Sequence, residues 1–300
     1  MKAYFSVGCS ASGKSTWAKE LSKQTGAIII ERDAARREVL RQKNNYSPGD
    51  LWLKWNFKDE KLVNPIIDSW QVHAVSIKSD IIFSDTWLNQ DRLKAKIAEM
   101  ESLGYETEVK YFRVRTIDVL YKNDRKRVES VGESVIRKRW LQWLELGEEV
   151  TGIKKYVYDE EAGSKAIVVD IDGTVAKMVD RGPFEWDRVD SDIPRTEIID
   201  IVERMSKTHE IIFLSGRDSI CREKTEEWIK NNINVSRFQL FMRKERDMRA
   251  DREIKNELFF NHVAPNYAVD FVIDDRKQMI QEWRDIGVMC INVGCPYAEF

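Results

Sequence analysis

The sequence predicts two α/β domains in tandem, each built on a parallel sheet. Three observations carry that expectation. Short apolar runs alternate with helix-length stretches through both halves, the alternation lapses around residues 151–164, and each half holds a phosphate-handling motif at the end of its first strand. With 300 residues, 42% of them hydrophobic, the chain has enough apolar material for two separate cores. The expected organisation is a first domain over 1–150, a linker over 151–164 and a second domain over 165–300. The linker assignment rests on Gly152, Gly163 and the acidic run Asp159-Glu160-Glu161 between them.

In the first half, Ala3 to Val7 reads as a strand that stops at a glycine-rich loop, and Ser15 to Lys23 as the helix after it. Ala27 to Ile30 is a second strand and Ala34 to Gln42 a helix; Asp80 to Asp85 is a third strand and Gln90 to Leu103 a helix closed by Gly104. Tyr105 to Val114 is a fourth strand, followed by helical stretches over Ile117 to Val128 and Ser134 to Leu146. Asn44 to Trp55 is less regular and carries Tyr46, Trp52 and Trp55, which either pack or stack on bases. In the second half the strands are Lys165 to Asp170, Glu210 to Leu214, Phe238 to Met242, Asp270 to Ile273 and Val288 to Val293. The helices between them are Thr196 to Ser206, Ile220 to Asn231, Asp251 to His262 and Lys277 to Asp285. Strands separated by helices of this length imply parallel sheets, whose ligands bind at the carboxyl ends of the strands.

Charge divides the chain. Residues 1–155 carry 28 Lys and Arg against 22 Asp and Glu, a net of +6; residues 156–300 carry 21 against 29, a net of −8. A domain that meets polyanions beside one that concentrates carboxylates for metal and chemistry fits that split, and ordinary surface variation fits it too. The cysteines, Cys9, Cys221, Cys290 and Cys295, show no metal-ligand spacing, which argues for a reducing compartment and against a disulfide scaffold or zinc site. Met1 leads into Lys-Ala-Tyr-Phe-Ser-Val, too short for a signal peptide's apolar region, and no apolar run approaches the roughly 18 residues of a membrane span. A soluble, intracellular protein without membrane association is expected.

Gly8-Cys9-Ser10-Ala11-Ser12-Gly13-Lys14-Ser15-Thr16 fits the P-loop pattern, between a strand and a helix as that pattern requires. Successive backbone N–H groups and the helix N-terminus converge on phosphate oxygens, Lys14 reaches the β and γ phosphates, and the Ser15 hydroxyl is a Mg²⁺ ligand. ATP and Mg²⁺ are therefore the expected cofactors. Asp33, past the second strand, sits where a carboxylate could deprotonate an attacking hydroxyl, or else it caps the Ala34 helix. Arg36 stands one turn on, placed to hold a phosphate, and Asp85-Thr86 ends the third strand in the same crevice, which favours chemistry. Lys122, Arg125, Lys126 and Arg127 form either a lid over the transferred phosphate or a solvated basic face.

Asp170-Ile171-Asp172-Gly173-Thr174 follows a strand and fits the first motif of the haloacid-dehalogenase-type phosphatases. There the first Asp attacks phosphorus, and the second protonates the leaving oxygen and then activates water. A carboxylate approaching a phosphate dianion needs a cation between them, which Asp170, Asp172, Asp274 and Asp275 are expected to hold. Ser215, in Leu214-Ser215-Gly216-Arg217, is placed to hydrogen-bond the phosphoryl group, and Lys255 to neutralise the intermediate. A chain with both motifs can add a phosphoryl group at one position and remove one at another, which nucleic acid ends require.

Taken whole, the sequence resembles the bifunctional polynucleotide kinase/3′-phosphatase family of T-even-type bacteriophages. The likeness runs through Gly8 to Trp17, Arg32-Asp33 with Arg36, Ser84-Asp85-Thr86 with Leu88-Asn89, Asp170 to Lys177, Arg181-Gly182-Pro183, Ser215-Gly216-Arg217, the Asp247 to Lys255 segment and Ile273 to Arg276. The resemblance implies that Asp33 is the general base for a 5′-hydroxyl, that Arg36 and Asp85 position the acceptor, and that Lys14 and Ser15 bind ATP and Mg²⁺. It implies Asp170 as phosphatase nucleophile and Asp172 as acid/base, with Arg181, Arg217, Asp251, Lys255, Asp274 and Asp275 completing a 3′-phosphate site. RNA and DNA ends, a partner ligase, a homo-oligomer, 2′,3′-cyclic phosphate as a further substrate and the cytoplasm of an infected host also follow from it. One departure stands out: the family's lid carries two arginines spaced by four, where this chain has Lys122 and Lys126. A small-metabolite kinase fused to a metabolite phosphatase, or a nucleotide-dependent switch that binds nucleic acid unaltered, would carry some of the same motifs.

Overall fold

The computed structural model describes residues 1–161 and 163–294, so Cys295 lies outside the described residues. The chain divides into two compact units, Met1–Ile153 and Lys154–Phe300.

The first unit runs β1 (Lys2–Val7), α1 (Lys14–Thr25), β2 (Ile28–Ile30), α2 (Arg32–Gln42), α3 (Leu51–Lys54), a 3₁₀ turn (Phe57–Leu62), α4 (Val63–Ser76), β3 (Ile81–Phe83), α5 (Gln90–Ser102), β4 (Glu106–Tyr111), α6 (Ile117–Asp124), α7 (Glu133–Leu144) and α8 (Glu148–Thr151). Its four strands are parallel in the order β2-β3-β1-β4. Burial explains the composition: Ala3, Phe5, Ile81 and Ile82 are sealed from solvent, as strands covered on both faces must be. Trp17 and Leu21 of α1 lie against Tyr4, Ala27 and Ile82. The irregular Asn44 to Trp55 stretch is explained by packing. Tyr46, Trp52 and Trp55 join Val39, Leu40, Leu51 and Val63 in a second apolar cluster under α2 and α4. Helix α4 has no counterpart in the sequence expectation.

The second unit runs β5 (Ser164–Val169), β6 (Ala176–Lys177), a 3₁₀ turn (Trp186–Ser191), β7 (Ile193–Pro194), α9 (Thr196–Met205), β8 (Glu210–Asp218), α10 (Arg222–Asn232), β9 (Gln239–Arg243), α11 (Asp251–Leu258) with a π turn after it (Phe259–Val263), β10 (Tyr267–Asp274), α12 (Lys277–Asp285) and β11 (Cys290–Asn292). Five strands are parallel in the order β11-β10-β5-β8-β9, and β6 pairs antiparallel with β7. The central strand β5 is buried from Ala166 to Val169, so the residues that follow it emerge at the middle of the sheet's carboxyl edge. Ahead of β5, Tyr156 belongs to this unit: its amide donates to Ile286 O at 2.7 Å, and its hydroxyl accepts from Val269 N at 2.7 Å.

Candidate functional sites

In the first unit α1 begins without a side-chain cap. Gly13 precedes it at φ 98°, in the left-handed region where a residue with a Cβ is strained. The first-turn N–H groups are thereby left for an anion. Lys14 Nζ, buried, donates to the Cys9 carbonyl at 2.5 Å, and burial pushes its ammonium down to about 8. Ser15 Oγ donates to Glu31 Oε1 at 2.9 Å, while Ser84 Oγ lies buried without a partner at the same cavity. Gly8, Cys9 and Ser12 shape the loop without lining that cavity, whereas Ser10, Ala11, Gly13, Lys14, Ser15 and Thr16 line it.

The cavity measures about 1240 Å³ and brings Asp33, Arg36 and Asp85 together with the loop. Pockets for one drug-sized ligand typically measure roughly 300–1,000 Å³, so this cavity exceeds what one such ligand requires. Asp33 is not a helix cap. Helix α2 starts one residue before it, and the Asp85 carboxylate, reaching across from β3, accepts from Arg32 N at 3.1 Å. That frees Asp33, whose Oδ1 accepts from Arg36 at 2.5 Å. Burial, with Asp33 adding to it, raises the Asp85 carboxyl to about 6. Glu60, which no motif marks, accepts from Arg36 at 3.1 and 2.7 Å and from Arg32 at 2.7 Å, fixing both guanidinium groups.

The basic stretch divides. Helix α6 ends at Asp124, four residues short of the expected end, because the Asp124 carboxylate accepts from Ser130 Oγ at 2.6 Å and from the amides of Val131 and Gly132 at 3.2 and 3.0 Å. Lys122 and Lys126 therefore do not share one helical face. Lys126 and Arg127 line the cavity, and Asn123 Nδ2 ties α6 to Ala11 O at 3.1 Å. Lys122 and Arg125 do not line it, and Arg125 is drawn to Glu133 at 2.7 Å.

In the second unit β5 delivers Asp170, β8 delivers Ser215 and Arg217, α11 delivers Asp251 and Lys255, and β10 leads into Asp274-Asp275. Strand β8 extends four residues beyond the expected Leu214, with an irregular register between Ser215 and Asp218 that brings Arg217 inside. Asp170, Asp274 and Asp275 offer ligand oxygens within 4.8 Å of one another. Lys255 Nζ lies 2.7 Å from Asp170, 3.1 Å from Asp274 and 3.7 Å from Asp251. Burial raises the Asp170 carboxyl well above its usual range, and Asp274 and Asp275 add to this against Lys255. Crowded hard oxygens with too little positive charge suit a divalent cation, so the residues fit the metal that a haloacid-dehalogenase-type site implies. The glycines follow from the same crowding: a Cβ on Gly173 would collide with the Asp275 carboxylate, and one on Gly216 with that of Asp251.

The Asp172 carboxylate lies outside the side-chain cluster of Asp170, Asp274 and Asp275. It accepts from Arg217 at 2.9 and 2.7 Å and from Arg181 at 2.8 Å, and these arginines hold it below the usual carboxylate range despite burial. The same arginines converge on Asp192, which accepts from Arg181 at 2.6 Å with each oxygen and from Arg217 at 2.6 Å. Asp192 belongs to no motif, and only its place in space identifies it. Ser215 is buried, its Oγ accepting from Arg217 N at 3.2 Å, and Asp251 is braced by Arg276 at 3.0 Å and Arg243 at 3.5 Å.

Residues 4–149 match the family model of an AAA domain, and residues 164–297 match that of the polynucleotide kinase PNKP phosphatase domain. A baculovirus protein named "Putative bifunctional polynucleotide kinase/RNA ligase", from Autographa californica nuclear polyhedrosis virus, is 28% identical over 98% of this chain. The chain spans 42% of that relative's length. Two solved chains, from "Structure of the Pnkp1/Rnl/Hen1 RNA repair complex" and "Structure of Pnkp1/Rnl/Hen1 complex", are 24% and 23% identical. Each alignment covers 100% of this chain and 97% of the other, with TM-scores of 0.43 and 0.44. Among the described residues no helix is long and apolar enough to cross a membrane. The chain thus carries, in order, a domain similar to the AAA family and a domain similar to the polynucleotide kinase PNKP phosphatase domain, each built on a parallel sheet.

Proposed function

We propose that this protein heals broken nucleic acid ends: its first unit transfers the γ-phosphate of ATP to a 5′-hydroxyl, and its second removes a 3′-phosphate. The observation that carries the reading is the first cavity, where a phosphate cradle and a carboxylate–arginine pair face one space that exceeds what one drug-sized ligand requires. The relative's name pairs a kinase with an RNA ligase, which supports RNA as the strand and a ligase as the user of the resulting 5′-phosphate and 3′-hydroxyl.

In the kinase, Asp33 takes the proton of the acceptor hydroxyl while Arg36, fixed by Glu60, orients the strand end. Lys14 and the N-terminus of α1 hold the donor phosphates, with Lys126 and Arg127 at the lid. In the phosphatase, an Asp170 oxygen bonds to phosphorus as the ester P–O bond breaks, giving an aspartyl-phosphate and a 3′-oxygen that takes a proton from Asp172. Arriving phosphate oxygens draw Arg181 and Arg217 off Asp172, which lets that carboxyl carry the proton. Asp172 then takes a proton from the water that attacks phosphorus, releasing inorganic phosphate and regenerating Asp170. Ser215 and Lys255 are placed to hold the phosphoryl oxygens. Asp170, Asp274 and Asp275 in the second unit, and Ser15 in the first, would hold Mg²⁺, which would supply positive charge against the negative charge that develops on the phosphoryl oxygens. A 2′,3′-cyclic phosphate is a further substrate of the same site.

Transfer of label from γ-labelled ATP to 5′-hydroxyl oligonucleotides, with RNA and DNA in parallel, tests the reading. Labelled RNA is the expected result, and failure to label any strand while a small metabolite is labelled would overturn it. Asp33→Asn should lower transfer by about 10²–10⁴-fold at preserved ATP binding. Excess EDTA should stop both reactions, and 3′-dephosphorylation that persisted in chelator would refute the aspartyl-phosphate route.

A further inference from the structure

Mg²⁺ rarely rests on a neutral hydroxyl alone: it takes one or two carboxylates together with the phosphates of its nucleotide. The P-loop contributes only the Ser15 hydroxyl to that set, and in P-loop folds the missing carboxylate commonly comes from an aspartate on another strand. Three carboxylates line the cavity here, Glu31, Asp33 and Asp85. Asp33 is drawn to Arg36 at 2.5 Å. Asp85, two residues past β3, accepts from Arg32 N at 3.1 Å and so covers the first amide of α2. Glu31 is the one that touches the P-loop: its Oε1 accepts from Ser15 Oγ at 2.9 Å.

Glu31 forgoes a local bond to make that contact. It occupies the N-cap of α2, where a polar side chain normally accepts from first-turn amides, yet its side chain makes no capping bond. Asp85 serves one of those amides instead, and the Glu31 side chain turns back 16 residues along the chain to the first turn of α1. Arg37, held by Glu129 at 3.0 Å, lies 3.9 Å from its other oxygen. Only 17% of the Glu31 side chain is exposed, so the carboxylate is fixed at the cavity wall instead of sweeping through solvent. A hydroxyl that donates to a carboxylate keeps both of its lone pairs for a cation, and the carboxylate keeps spare lone pairs of its own. One neutral and one anionic hard oxygen, side by side at the phosphate cradle, are a donor set that fits Mg²⁺.

Resting on the ATP-binding part of the end-healing reading, we propose that Glu31 is the carboxylate that holds the nucleotide's Mg²⁺ together with Ser15, in place of Asp85. The full chain and its Glu31→Gln, Glu31→Asp and Asp85→Asn variants are titrated calorimetrically with a non-hydrolysable ATP analogue, once in excess Mg²⁺ and once in EDTA. Glu31→Gln keeps an acceptor for Ser15 and removes only the charge. It should weaken binding of the Mg²⁺ complex by about 10- to 100-fold, the usual consequence of losing a group that supports a metal. It should bind the metal-free analogue as well as wild type or better, because one anion fewer faces the phosphates. A merely structural role would weaken both forms, so the opposite signs separate the two. Glu31→Asp should recover part of the loss, and Asp85→Asn should keep the wild-type ratio of the two affinities. An unchanged ratio in Glu31→Gln, an equal loss with and without Mg²⁺, or the same effect appearing in Asp85→Asn instead overturns the proposal. Metal-coupled binding that depends on Glu31, with no strand labelled from γ-labelled ATP, leaves it standing and overturns the end-healing reading.

Discussion

The two phosphate sites use the same chemical groups under different conditions. In the first unit Asp33, Arg36 and Glu60 keep 23%, 17% and 33% of their side-chain surface exposed around an open cavity. In the second, Arg181, Arg217 and Asp192 keep none, and Lys255 keeps 1%. The proposed chemistry accounts for the difference. Phosphoryl transfer between two bound substrates is mainly a matter of positioning, so the site must open to admit both. Covalent attack by a carboxylate needs a charge arrangement that water does not screen, and Arg181, Arg217, Asp172, Asp192 and Lys255 each face more than one group of opposite charge. The open site tolerates loss of single ion pairs, which are worth about 0–1 kcal/mol at the surface. The closed one does not.

The largest effects should come from the reacting groups, and they test whether the sites are separate. Asp170→Asn should lower 3′-phosphatase turnover by at least about 10³-fold and leave 5′-phosphorylation intact. Lys14→Ala should do the reverse, measured on one doubly labelled substrate. Loss of both activities from either change, in a protein still folded by circular dichroism, would mean one composite site.

Next in size is the buried network. Asp192→Asn leaves two interior guanidinium groups sharing the single carboxylate of Asp172, and removing one partner of a buried pair costs about 3–5 kcal/mol. Denaturant unfolding followed by tryptophan fluorescence should show the second unit destabilised on that scale. Glu60→Gln, the corresponding change in the first unit, should cost at most about 1 kcal/mol. Equal destabilisation by the two would erase the contrast.

A third test uses pH. Asp85 binds a proton more readily in the folded chain, near 6, than at its ordinary 3.8. Ionising it therefore works against folding, and that contribution to stability is present below about 4 and lost as pH rises to about 6. Kinase activity should run the opposite way, falling by about tenfold per pH unit below 6 if the Asp85 anion is needed. An acid limb unchanged in Asp85→Asn would remove Asp85 from that role. The smallest effect belongs to the lid's outer face: Lys122→Ala and Arg125→Ala should leave the KM for ATP within about twofold, whereas Arg127→Ala should raise it by about tenfold.

Much of the molecule was legible because its signals are local. A P-loop is nine consecutive residues whose own amides form the cradle, and Asp170 to Thr174 brings its carboxylates by sitting at the end of a buried strand. Helix α4 was not legible: Pro65 falls in its first turn, where a missing N–H costs nothing, yet it reads in sequence as a breaker. The lid register escaped for another reason, since the end of α6 is fixed by Asp124 accepting from the Ser130 hydroxyl and from amides seven and eight residues ahead.

By itself, then, the sequence determined the two parallel-sheet domains and their order. Hydrophobic spacing and backbone cradles are properties of neighbours along the chain. Only the tertiary structure decided which charges would share a space: Glu60 with Arg32 and Arg36, Asp192 with Arg181 and Arg217, Arg92 with Trp87, and the Asp172 side chain with the same two arginines as Asp192. Buried charge must be balanced through space at a few ångströms, whatever its separation along the chain, and that balance exists only once the segments meet.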